Sequence, residues 1–447
     1  MRKRRRCIDS GGWTNGNDAR ASGIQGSSTA RENDMVELIH IDPEHIERLI
    51  LDLGRFGAHG GTGVWRTVYS PEWIEAANHF SGWCRESGLA VHQDAVGNVW
   101  GRLEGKEAGP SIVSGSHIDS QTPGGRYDGA LGAIAALVAI DALNKQFGKP
   151  RRTLEVLALC EEEGSRFAAA SLWGSRAITG CIKPRELDEL VDDDDVSIGQ
   201  AMKDAGLDPN ALATAERNDI GAFIELHIEQ GPVLEAEGLA VGLVTAINGL
   251  RHYRIELTGE ANHAGAFPMD SRRDPMAGFA EIASGVISTA ERWGRPAVTT
   301  VGQIRAEPNL PAIIPAKITF MIDARHPDPE ALKRLYALHE TLIHEVANRR
   351  GLDVKISVVE DQVPLVCHPE IVTAIKAAAE DQGVQLGALS SGGSHDTQQM
   401  SKLARAGMIF VRSKDGRSHT PEEFSSIPDI VASIKVLAGT LYRLAYL

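Results

Sequence analysis

The chain has 447 residues, 42% hydrophobic and 24% charged, with a mean hydropathy of −0.17. This is a globular composition long enough for roughly two to four domains. Its 46 Lys and Arg against 60 Asp and Glu give a formal charge of −14, which argues against nucleic acid or an anionic membrane surface as partner. No apolar run reaches the roughly 18–20 residues of a membrane span. Five widely spaced cysteines without a CxxC exclude a disulfide framework and a cysteine zinc finger, and favour a reducing, cytoplasmic setting.

Residues 1–34 carry seven basic and four acidic side chains and no hydrophobic periodicity. RKRRR is followed by no apolar stretch, so a secretory signal is not expected. The segment reads as a disordered tail, or as the product of a start codon upstream of Met35.

Helical spacing predicts helices over Pro43–Phe56 and Pro71–Gly88, the second opening on SPEW with proline in its first turn. Short apolar runs follow at SIVSGSH (111–117), TLEVLALC (153–160) and GAFIELH (221–227), with an Ala/Leu/Ile-rich helical stretch at 129–143 between the first two. Strand, helix, strand at these lengths predicts a βαβ unit in a largely parallel sheet. Ligands of such sheets bind beyond the carboxyl ends of the strands, where the first and third runs end in His and the second is followed directly by Glu161. Around residue 247 the pattern changes. RHYRIELTG (251–259) and KITFMIDAR (317–325) alternate apolar and polar residues, as half-exposed antiparallel strands do. Each precedes a helical stretch, at 274–292 and 328–349. The fold class is therefore α/β, with a catalytic domain in two parts, 35–247 and 364–447, interrupted by a smaller α+β domain at 248–363. The acidic run at 192–195 reads as a solvated loop.

Several chemistries fall away. GRLEGKE (101–107) has too short a gap for a phosphate-binding loop, no GxGxxG follows a strand, and no GxSxG nucleophile elbow exists. What remains is five polar clusters: GSHID (His117, Asp119), GGRYDG (Asp128), EEEG (Glu161, Glu162, Glu163), ELHIEQG (His227) and SHTPEE (His419). Three adjacent carboxylates after a buried-looking strand would repel one another unless cations compensate. Imidazoles and carboxylates without thiolates suit Zn, Mn, Co or Ni, and a shared carboxylate can hold two ions together. In His117-x-Asp119 the two side chains share a strand face, so Asp119 is expected to accept the ring N–H of His117 from outside the ligand set.

GSHIDSQTPGGRYDGALG, CEEEGSRF with WGSRAITG, IELHIEQGPVLE, NHAGAFPM and SHTPEE occur in that order. Together they resemble the metal-dependent amidohydrolases that include allantoate amidohydrolase, N-carbamoyl-L-amino-acid hydrolase and β-ureidopropionase, across residues 38–445. The resemblance implies a two-metal aminopeptidase-like catalytic domain and an inserted lid and dimerisation domain. It implies hydrolysis of a linear amide or ureido C–N bond with release of ammonia; an aminoacylase or dipeptidase on the same fold is the alternative. By position it assigns His117 and His227 to one divalent ion, Glu163 and His419 to the other, and Asp128 to both. Glu162 matches the general base. His263 matches an oxyanion-stabilising histidine that reaches the site from a partner subunit. Gln230, Arg325 and His395 match substrate contacts, and Asp396 stands just outside the ligands. The implied partners are a small-molecule substrate and a second copy of the chain, with no nucleic acid or membrane. The chain departs from the family pattern in places, with GGSHDT (392–397) where GAGHDA is usual. Ala312 stands where an asparagine is usual, and Ala266 and Phe267 replace two threonines. GVWRTVYSPEW (63–73) and the CEEEGSRF region look most like the allantoate branch.

Overall fold

The computed structural model describes residues 38–447; the expected tail at 1–34 lies outside them. The expected helices form at Pro43–Leu53 and Pro71–Glu86, each with proline in the first turn. Asp42 and Ser70 cap them by accepting the amides of Glu44 and Trp73. The larger sheet has nine strands. Its centre is parallel and runs Arg405–Val411, Ile220–Ile228, Ser111–His117, Leu154–Leu159. Antiparallel strands Val99–Leu103 and Ala90–Gln93 close one edge. At the other edge Val241–Ile247 runs antiparallel to Arg405–Val411 and parallel to Leu386–Ser391. The sheet is thus mixed, with parallel order in the central strands that lead to the polar clusters and in one edge pair.

Strands Ser111–His117 and Leu154–Leu159 are buried at every residue, because both faces are covered. Ile112 and Val113 enter the two cores, while the buried hydroxyls of Ser111, Ser114 and Ser116 bond to Glu155, the Ile224 carbonyl and Glu225. On one face lies the helix Ala130–Phe147, packed with Ile427–Ala445 in the main core. Ala130–Phe147 is long and apolar enough to cross a membrane, yet two thirds of it is buried inside the protein, so its composition reflects core packing. The other face packs Trp100, Val113, Leu157, Phe223 and Met400 together.

Residues 249–362 form a second lobe with its own core. Four antiparallel strands stand in the order Val298–Glu307, Lys317–His326, Gly249–Thr258, Asp353–Gln362. Helices Pro275–Trp293 and Pro329–Arg349 pack on one face, against Ile255, Leu257, Phe320 and Ile322. The alternating segments read from sequence are the two central strands. Both flanking strands are additional, and their mostly exposed side chains leave little hydrophobic alternation to read.

Candidate two-metal active site

The polar clusters meet at the carboxyl ends of the parallel strands. His117 ends one strand, Glu161–Glu163 follow the end of the next, and His227 lies one residue from the end of a third. Asp128 sits just before the helix Ala130–Phe147, and His419 comes from the loop beyond Arg405–Val411. Their ligand atoms form overlapping groups, including His117–Asp128–His227 and Asp128–Glu163–His419.

Asp128 presents a different oxygen to each group. Its Oδ1 lies 3.1 Å from His227 Nε2 and 3.8 Å from His117 Nε2. Its Oδ2 lies 3.4 Å from His419 Nε2, which is 3.6 Å from Glu163 Oε2. The imidazoles of the first group are aimed by backbone. His117 Nδ1 sits 3.2 Å from the Asp119 carbonyl and His227 Nδ1 3.0 Å from the Ile228 carbonyl. An N–H donated there leaves each Nε2 with its lone pair facing Asp128. The expected bond from His117 to the Asp119 carboxylate is thereby corrected: that oxygen is farther, at 3.6 Å. The carboxylate instead accepts the amides of Glu162 and Glu163, at 3.3 and 3.2 Å, so Asp119 fixes the loop of the acidic triplet. Gly129, at φ +61°, closes the cradle; a Cβ there would lie 2.3 Å from the His117 ring.

Burial opposes the charged form of His117, but the carboxylates of Glu162, Asp119 and Glu163 outweigh it and raise its pKa well above the usual value. Burial likewise raises Glu162 and Glu163, with neighbouring carboxylates adding to it. Asp128 goes the other way: burial is overcome by the imidazoles of His227, His117 and His419, which lower its pKa. His117 Nε2 and Glu163 Oε1 are buried without any hydrogen-bond partner. Buried lone pairs facing converging carboxylates, with no thiolate among them, are a donor set fitted to divalent cations.

Glu162 lies beside this cluster, its Oε2 3.7 Å from His117 Nε2. Glu161 points away; its carboxylate accepts the amides of Phe167 and Arg166, and burial pushes it to about 8. Gln230 donates to Asp128 Oδ2 at 3.0 Å. Gln230, Arg325 and His419 line a cleft between the lobes of about 960 Å³. His395, expected as a substrate contact, is buried beside His227. Its ring meets His227 edge-on at 4.5 Å and its Nε2 lies 2.8 Å from Ser391 Oγ. Asp396 is also buried, 2.5 Å from the Ser175 hydroxyl that it accepts. His263 does not join the cluster. It is exposed on the smaller lobe, its Nδ1 accepting the amides of Gly265 and Ala266. Ala312 accepts the Ala264 amide beside it, so Ala266, Phe267 and Ala312 lie together around His263.

Two residues with clear roles were not singled out in the sequence. Glu423 is buried and accepts the amides of Tyr127 and Asp128, at 3.0 and 2.8 Å. Ser418 donates to Asp128 Oδ2 at 2.9 Å and lies 3.1 Å from Glu423 Oε2. Both belong to SHTPEE, so that motif was the available signal.

The model of Peptidase family M20/M25/M40 matches residues 88–443. The chain belongs to this family. It is 40% identical to an allantoate amidohydrolase of Escherichia coli, over 90% of this chain and 98% of that protein. It is 37% identical to an N-carbamoyl-L-amino acid amidohydrolase of Geobacillus stearothermophilus, over 91% and 99%. A crystal structure of a hydantoinase/carbamoylase family amidase from Burkholderia multivorans superposes with a TM-score of 0.84, at 31% identity, over 91% of this chain and 98% of that one. The chain is an amidohydrolase acting on C–N bonds of linear amides, as the motifs implied. The family depends on two metal ions, and the ligand groups above are the candidates to hold them.

Proposed function

We propose that the chain hydrolyses a linear ureido acid, allantoate or an N-carbamoyl-L-amino acid, and releases ammonia. The observation that carries this reading is Asp128, with one oxygen turned to each of two donor sets and Glu162 beside them. His117, His227 and Asp128 would hold one divalent ion, and Glu163, His419 and Asp128 the second, the pair being Zn, Mn, Co or Ni. Such ions supply Lewis acidity toward water and the amide carbonyl.

Glu162 is the general base. It removes a proton from the attacking water and returns it to the departing nitrogen. Asp119 holds the Glu162 and Glu163 amides and thereby keeps base and ligand in register. Gln230 orients the substrate from the cleft wall, and Arg325 binds its carboxylate as a fork. His263, with Nδ1 occupied by two amides, has only Nε2 to offer a developing oxyanion, and it does so in a partner subunit. Residues 248–363 then serve as lid and dimerisation domain of a cytoplasmic homodimer. The exposed Val298 and Ile304 on the edge strand Val298–Glu307 support an interface there.

The test combines metal analysis of chelator-free protein with a substrate panel. Two equivalents of metal, with ammonia from allantoate or N-carbamoyl-L-amino acids, are expected. Free amine from N-acetyl amino acids without any ammonia from ureido acids would place the enzyme with the aminoacylases.

A further inference from the structure

The cleft between the lobes, about 960 Å³, has room for more than one amide and one carboxylate. Arg325 reaches it with three of its five guanidinium N–H groups already engaged and one left on each terminal nitrogen. Its Nε and Nη2 bind Asp323 at 2.9 and 2.7 Å, and its Nη1 donates to the Gly392 carbonyl at 2.8 Å. Asp323 in turn lies 3.0 Å from His252 Nε2, and His252 Nδ1 lies 2.9 Å from Glu360.

Arg295 lines the same cleft, and its side chain makes no ion pair or hydrogen bond among the described residues. Strand register explains its place. Val298 pairs directly with Arg325, and Arg295 lies in the turn that enters that strand, so both arginines arise at one end of the sheet. Two acidic residues also line the cleft. Glu229 is occupied by the amides of Val233 and Leu234, and Glu237 is exposed.

We propose that Arg295 is a specificity-determining residue that grips a second polar arm of the substrate, a ureido carbonyl or a second carboxylate. This rests on the ureido-acid reading above. With the scissile amide at the metal ligands and one carboxylate at Arg325, a two-armed substrate extends its other arm to the uncommitted guanidinium. A planar guanidinium presents paired N–H donors, which match a carboxylate or a ureido oxygen. Allantoate and N-carbamoyl-L-glutamate have such an arm; N-carbamoylglycine does not.

The experiment measures kinetics of metal-loaded enzyme and of its Arg295→Ala, Arg295→Lys and Arg295→Glu forms on those three substrates. Binding is measured by calorimetry in a Glu162→Gln background, with and without Arg295→Ala. Arg295→Ala is expected to raise KM for the two-armed substrates about tenfold or more, the size of a lost hydrogen bond to a charged group. N-carbamoylglycine should change by less than about twofold. Arg295→Lys should recover part of the loss, and Arg295→Glu should penalise N-carbamoyl-L-glutamate more than alanine does. Equal effects on all three substrates, or none, overturn the proposal. If allantoate is turned over and binds the Glu162→Gln protein equally well with and without Arg295→Ala, this inference fails and the functional reading stands. If no ureido acid binds, both fail.

Discussion

Glu225, Asp119 and Glu423 are buried in the larger lobe, and each accepts hydrogen bonds from residues far along the chain. His339 is buried in the smaller lobe with neither ring nitrogen bonded. The difference follows from where each lobe keeps its chemistry. The larger lobe carries charge at the heart of its sheet and must surround it with donors. The smaller lobe has an apolar core; Arg325, Arg295 and His263, the residues proposed above to meet substrate, lie outside it, and a single neutral imidazole is tolerated within it.

That contrast can be broken at several points. Glu162→Gln removes a proton acceptor from the larger lobe without removing a proposed ligand. Turnover of a ureido acid should fall on the order of 10²–10⁴-fold with metal content, read by mass spectrometry, unchanged; retained turnover would end its assignment as base. In the smaller lobe the expected loss is of stability. Burial depresses His339 to about 4 from an ordinary 6.5, so the unfolded chain binds more protons between these values. Stability should therefore decline as pH falls from about 6.5 to 4, by up to about 3 kcal/mol. Denaturant midpoints of His339→Leu should show a shallower acid limb, and an unaltered limb would show that the ring is not protected from protonation. Arg325→Ala, at the rim, should raise KM about 10–100-fold and leave kcat less affected; a fall in kcat alone would place it elsewhere in the reaction. The smallest expected change is Ser418→Ala, which should weaken metal retention about tenfold in a chelator competition. Unchanged retention would mean that Gln230 and Glu423 suffice to hold Asp128.

The parts of the fold that sequence made legible are those whose burial is total or strictly alternating. SIVSGSH matches its strand at both ends, although three of its residues are serines whose buried hydroxyls are hydrogen-bonded within the sheet. The helix read to Leu143 continues to Phe147 through Asn144, Lys145 and Gln146, polar residues that break the apolar run without ending the helix. Less legible were contacts that join distant segments. Glu423 meets Asp128 across 295 positions, and no local spacing encodes that meeting. Glu161 stood in the acidic triplet expected to need cations and is an internal clamp for the amides of Arg166 and Phe167. His395 shows the same limit: its motif announced proximity to the ligands, but which side of His227 it occupies depends on how two loops stack.

Gly129 carries a consequence for anyone who diversifies this enzyme. It contributes no donor atom toward a cation, yet a single added carbon there would intrude on the His117 ring, and its backbone turn disfavours every L side chain. Saturation mutagenesis scored by activity would rank it with the ligands themselves. Libraries meant to retune the substrate belong on the rim of the smaller lobe, where Ala266, Phe267 and Ala312 already differ, and should leave the floor beneath His117 untouched.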